Sequence, residues 1–179
     1  FLLEELSAKA MLEGFLPKIL PENSDCRFIV FEGKQDLEKQ MTKRMRGYSV
    51  PNARFVVLRD KDAEDCRQVK SRLAKKCADA GKADALVRVA CHELESWYLG
   101  DLAAVEAGLG VPDLVRHQKK KPCTAPDDLA SPADYLSSMV PSYQKIAGSR
   151  AIGPHLDPTS NCSYSFGIFV QGIRKLITT

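Results

Sequence analysis

Four short apolar runs alternate with stretches of helical periodicity along the first half of the chain. The runs are Phe1–Glu4, Arg27–Phe31, Arg54–Arg59 and Ala85–Ala90. Two of them, Phe-Ile-Val-Phe and Phe-Val-Val-Leu, are nearly continuous in apolar residues. Such runs suit strands buried on both faces of a parallel sheet. Between them the spacing predicts helices over Ala8–Leu16, stopping at Pro17, over Asp36–Met45 and over Ala63–Ala78. Cys66, Val69, Leu73 and Cys77 recur at helical spacing in the last of these. Strand and helix in alternation predict an α/β fold: a mostly parallel sheet of about four strands, helices on both faces and a helical C-terminal part.

The texture changes after Trp97. A short helix is expected over Asp101–Ala107, ended by Gly108. Residues 110–160 are rich in Pro, Asp, Ser and Lys, and read as an irregular lid or insertion with helical pieces at Pro132–Met139 and Ser142–Ile146. Phe166, Phe169, Val170, Ile173, Leu176 and Ile177 form the apolar stripe of a final helix, which Ser163 or Ser165 can cap. The whole chain, 1–179, is expected to be one domain, a length sufficient to bury a proper core.

Composition narrows the class only modestly. The net charge of +3, from 26 basic and 23 acidic residues, does not mark a nucleic-acid binder by itself. Six cysteines occur without a Cys-x-x-Cys pair, so a zinc ribbon is not expected. Unpaired thiols in apolar patterns predict a reducing, cytoplasmic location. No apolar run reaches the roughly 18 residues of a membrane span, so no membrane association is expected. The start lacks the basic residues and long apolar stretch of a signal peptide.

The chemistry lies at the strand ends. Asp60-Lys61-Asp62 follows the third run, and in extended chain positions i and i+2 point the same way. Glu4 and Glu5 end the first run, and His92-Glu93-Leu94-Glu95 follows the fourth. Acids at three parallel strand ends converge if the strands are neighbours, at the edge where open α/β sheets bind ligands. Crowded carboxylates need neutralising, and oxygen donors without a Cys or His cluster favour Mg²⁺ or Mn²⁺. Each piece also has a plainer explanation. Asp62 and Asp65 resemble a helix cap, Glu4 and Glu5 ordinary first-turn acids, and Lys119, Lys120 and Lys121 a solubilising loop. Trp97 and Tyr98 suit either base stacking or packing beneath the sheet end.

Leu2-Leu3-Glu4-Glu5-Leu6-Ser7 and Val57-Leu58-Arg59-Asp60-Lys61-Asp62 resemble the Toprim domain of topoisomerases, primases and OLD-type nucleases. The chain more closely resembles the Toprim-like DUF4276 family. The likeness rests on the acid-rich strand end with Ser7, the Asp pair with Cys66 and Glu93-Leu94-Glu95-Ser96-Trp97 followed by Asp101. It extends to Tyr143-Gln144-Lys145 and Ser165-Phe166. Where the wider Toprim pattern has Gly after the first acid, this chain has Glu5, and Glu4 aligns directly. The resemblance implies Mg²⁺ or Mn²⁺ held by Glu4, Asp60 and Asp62, with Glu93 or Glu95 serving a second metal or orienting water. It implies Glu4 as an alternative general acid/base. Lys145 is a candidate for stabilising charge on a scissile phosphate, and its plainer reading is a solvated helix lysine. The implied activity is a nuclease acting on DNA or RNA in defence against phage or mobile DNA; the alternatives are a non-catalytic metal- or nucleic-acid-binding module and a phosphoryl-transfer enzyme acting on a small phosphate ester. No Gly-x-x-x-x-Gly-Lys-Ser/Thr loop is present, so an ATPase partner would be a separate protein.

Overall fold

The computed structural model describes residues 1–178. Four parallel strands form one sheet in the order β2-β1-β3-β4. They are β1 (Leu2–Leu3), β2 (Ile29–Val30), β3 (Val56–Asp60) and β4 (Leu86–Ala90). All four coincide with the predicted runs, although β1 and β2 keep only two ladder residues each. Helices α1 (Leu6–Phe15), α2 (Lys34–Arg46) and α3 (Cys66–Asp79) connect them.

Alternation along the strands sorts the side chains into two cores. Leu2, Val57 and Val87 pack with Leu37, Met41 and Met45 of α2 and with Val69, Leu73 and Cys77 of α3. Leu3, Val56, Leu58 and Ala90 face the other way, onto Met11, Leu12 and Phe15 of α1. Phe166, Phe169, Val170 and Ile173 of α9 (Tyr164–Thr178) complete that second core. Ser163 caps α9, its Oγ accepting the Phe166 N–H at 3.2 Å. Helices therefore cover both faces of the sheet, an α/β architecture of Rossmann type. Within α3, Cys66 departs from the predicted stripe: it lies exposed in the first turn.

The remaining α-helices are α4 (Glu95–Leu99), α5 (Leu102–Leu109), α6 (Lys121–Thr124), α7 (Pro132–Met139) and α8 (Lys145–Ile152). Residues 110–160 thus carry three α-helices and three short 3₁₀ helices, and α8 packs along α1. No helix of the described residues is long and apolar enough to cross a membrane.

Gly108 does not end α5. The helix runs on to Leu109, and Gly110 caps it in the left-handed conformation, φ 64°. Gly108 instead lets α8 approach: a Cβ there would lie 2.6 Å from the Ala151 carbonyl oxygen. That neighbour is backbone and cannot step aside cheaply. Gly108→Ala is expected to cost about 1–3 kcal/mol by overpacking, outweighing the roughly 1 kcal/mol that Ala gains in helix propensity. Chemical denaturation of the two proteins would measure the loss.

Candidate metal and phosphate site

The strand order creates a break between β1 and β3. The connection leaving β1 runs through α1 to β2 on one side, and that leaving β3 runs through α3 to β4 on the other. Helices α1 and α3 pack on opposite faces, so the chain diverges at the carboxyl ends of these two neighbours. Open α/β sheets bind ligands at such a switch point. Register places Leu3 beside Leu58, and hence Glu4 beside the Arg59–Asp60 step. The Asp60 N–H donates to Glu4 Oε2 at 3.2 Å. A small cleft lined by Glu4, Glu5, Ser7, Arg59, Asp60 and Leu94 opens here.

Three carboxyls interact electrostatically at this end of the sheet. Burial pushes Asp60 well above the usual carboxylate range, and the charges of Glu95 and Glu4 raise it further. Burial likewise raises Glu4, against the lowering effect of the Asp60 N–H. It raises Glu95 too, although Lys145 and Tyr143 favour its charged form. Glu95 is fully buried at the first turn of α4. The Tyr143 hydroxyl donates to its Oε1 at 2.9 Å, while its Oε2 has no hydrogen-bond partner. Tyr143 leans over Gly148, where a Cβ would collide with the phenol ring.

Lys145 stands among these acids. Its Nζ lies 2.7 Å from Glu5 Oε2, which also accepts the Ser7 hydroxyl at 3.1 Å. Burial opposes the Lys145 charge, but the bond to Glu5 and the charges of Glu95, Glu5 and Asp60 outweigh it and raise its pKa.

Asp62 takes a different direction from Asp60. Its N–H donates to the His92 carbonyl at 2.8 Å, extending the β3–β4 pairing. Asp62 and His92 both adopt left-handed backbone, φ 54° and 61°. Asp and His reach that region more readily than most residues, and such strain gathers at functional sites. The turn sends the Asp62 carboxylate to Lys34, Oδ2 to Nζ at 2.7 Å. Asp62 is not the cap of α3; Asp65 is, accepting the Arg67 and Gln68 N–H groups. Glu93 caps elsewhere, accepting the Ala133 N–H of α7 at 2.8 Å. The site therefore groups Glu4, Asp60, Glu95 and Lys145, with Asp62 turned to Lys34 and Glu93 to α7.

Arg59 and Arg72 were given no role in the sequence reading, yet they organise the face beside this site. Arg59 is fully buried and pairs with Glu38 at 2.7 Å, with Glu64, and with Glu4 at 3.7 Å. Arg72 joins the same Glu38 and Glu64 at 2.9 and 2.7 Å. A lone Arg inside an apolar strand, preceding an acid, was the available clue. Trp97 and Tyr98 are fully buried, so neither offers a face to a base. Trp97 donates from Nε1 to Ser165 at 2.8 Å and packs on Phe166 and Phe169. Asp101 caps α5 through the Ala104 N–H and accepts the Asp157 N–H. Lys119, Lys120 and Lys121 are exposed at the entry to α6.

The donor chemistry suits a hard divalent cation. The clustered groups are carboxylates, and the buried Glu95 Oε2 lacks a partner. Among the described residues, no three His, Cys, Asp or Glu side chains are placed to hold one ion together.

The raised carboxyls fix a direction for pH dependence. A carboxyl raised on folding keeps its proton above the pH at which the unfolded chain releases it. Its contribution is fully present below the ordinary carboxylate range of about 4 and is lost as pH rises toward the folded value. Asp60→Asn removes that loss. The variant is expected to be more stable than the parent at pH 7.5, by about 0.5–2 kcal/mol, with the advantage shrinking toward pH 4. Thermal melts across that range would check the sign.

No curated protein and no solved structure matches the chain. One family model does, over residues 3–174, and its description is a domain of unknown function. The match spans nearly the whole sequence, and the chain belongs to the DUF4276 family.

Proposed function

We propose that the protein is a divalent-metal-dependent phosphodiesterase of Toprim type, a nuclease acting on DNA or RNA. The observation carrying this reading is the unpartnered, fully buried Glu95 Oε2 among Glu4 and Asp60 at the switch point of the sheet. Buried carboxylates in mutual repulsion favour a state in which a cation joins them.

Glu4, Asp60 and Glu95 are the donors that Mg²⁺ or Mn²⁺ would have to draw together, with Asp62 a further donor on the adjacent turn. When bound, the cation supplies charge stabilisation at a phosphate and lowers the pKa of a coordinated water. The chain's own groups do the rest. Tyr143 fixes Glu95 Oε1 and thereby aims Oε2. Lys145, already at the acids, places an ammonium where charge grows on the phosphate. Glu4, raised toward neutrality, is suited to accept or return a proton. With Glu93 committed to α7, Glu95 is the acid of that pair facing the site. In defence against phage or mobile DNA, a separate ATPase would act as the partner.

Incubation with plasmid, single-stranded DNA and RNA, each with Mg²⁺ or Mn²⁺, tests the reading. Metal-dependent cleavage is expected from the parent protein and a loss of roughly 100-fold or more from Asp60→Ala/Asp62→Ala, a scale set by removing groups that stabilise a transition state. Full activity in the double variant would sink the proposal.

A further inference from the structure

The strands carry two arginines, and they are treated differently. Arg59 is met by carboxylates, whereas Arg88 forms no ion pair among the described residues. Arg88 sits midway along β4, partly buried where α9 crosses the strand. Its Nε donates to the Ile168 carbonyl at 3.1 Å and its Nη1 to the Val87 carbonyl at 2.8 Å. Nη2 makes no hydrogen bond to the described residues and lies against Gly172 of α9, where a Cβ would collide with it. Gly172 thus makes the notch that admits the guanidinium. Burial lowers the Arg88 pKa, and no neighbouring acid raises it.

A pocket of about 230 Å³ opens beside this guanidinium, lined by Arg54, Asp84, Leu86, Arg88, Gly172 and Lys175. Arg54 precedes β3 and Asp84 precedes β4, so the pocket lies toward the amino ends of the strands, away from the clustered acids. Three cationic side chains share it with one carboxylate. Asp84 faces Arg54 at 3.5 Å, and both are exposed, so that pair is weak and free to open. A partly buried charge without a counter-ion is costly, and an anion in the pocket would offset that cost.

We infer that this pocket is a binding site for a phosphate group, held by Arg54, Arg88 and Lys175. The inference needs no metal and is independent of the function proposed above. The three cations come from separate elements: the chain entering β3, β4 itself and α9. A tetrahedral oxyanion accepts donors from several directions. A planar carboxylate is best met by two parallel donors of one guanidinium, and on Arg88 Nε and Nη1 are already occupied by carbonyls.

Inorganic phosphate titrated calorimetrically into the full chain, with ionic strength held constant by NaCl, should bind saturably at one site. Arg88→Met is expected to weaken binding about tenfold or more, the scale of a charge-assisted hydrogen bond. Arg54→Met/Lys175→Met changes exposed positions alone, so it tests the site even if Arg88→Met fails to fold; a loss of about fivefold is expected. Lys145→Met, at the opposite end of the sheet, should bind phosphate as the parent does. A parent that shows no saturable binding overturns the site. So does unchanged affinity in the double variant or in folded Arg88→Met, and so does a loss in Lys145→Met, which would put the ion among the strand-end acids. Competition identifies the source of the phosphate. Displacement by a single-stranded oligonucleotide assigns it to a nucleic-acid backbone, displacement by a nucleoside monophosphate alone to a small ester, and displacement by neither to the free ion.

Discussion

Everything at the candidate site follows from pairing β1 in parallel against β3 with Leu3 beside Leu58. A strand of two ladder residues has little intrinsic stability, so its register is set by burial: Leu2 must face one core and Leu3 the other. A slip by one residue would exchange these faces and carry Glu4 away from Asp60. The same pairing makes the switch point, because β1 and β3 are the neighbours whose connections leave in opposite directions. The site is thus a consequence of hydrophobic sorting, and its position is fixed before any polar group is considered.

Placing acids at that point creates an electrostatic problem, and the molecule meets it differently on the two faces. Arg59 shares the parity of Val57 and so lies on the α2–α3 face, where Glu38 and Glu64 receive it and Arg72 shares both carboxylates. A buried guanidinium is costly unless its donors are met, and Nε remains without a hydrogen bond near Glu4. Asp60 shares the parity of Leu58 and falls on the face of α1, α4 and α8. There Lys145 provides the positive charge, among Asp60, Glu95 and Glu5. The arginine face is a network of paired carboxylates and guanidinium groups in which Arg59 Nε alone lacks a hydrogen bond. The lysine face is left with raised carboxyls and an unpartnered oxygen.

The fold was largely legible in the sequence because periodicity reports burial, and burial determines these elements. The runs containing Phe-Ile-Val-Phe and Phe-Val-Val-Leu mark β2 and β3, and the stripe from Phe166 to Ile173 marks α9. Gly108 was misleading because glycine serves two ends, a helix stop and a close approach, and sequence does not distinguish them. Around the site, Glu4, Asp60 and Glu95 were visible as strand-end acids. The separation of Asp62 from Asp60 was not visible. It depends on a left-handed turn at Asp62 and on Lys34, 28 positions away in sequence. Tyr143 and Lys145 were noticed only as a motif, and their contact with Glu95 and Glu5 spans about 50 and 140 positions respectively.

The strained turn links these levels. Extended backbone at Asp62 would set its side chain on the same side as Asp60, adding another charge to groups already raised by mutual repulsion. Left-handed backbone at Asp62, pinned to a His92 that is itself left-handed, turns the carboxylate toward Lys34 instead. The turn thereby separates the two acids and leaves Asp62 against Lys34 at 2.7 Å and the Arg59 guanidinium at 4.0 Å. Strain in the backbone and charge on the side chains then act in the same direction. The turn keeps the Asp62 carboxylate with Lys34 and the Arg59 guanidinium and apart from Asp60, so fewer negative charges meet at the end of β3.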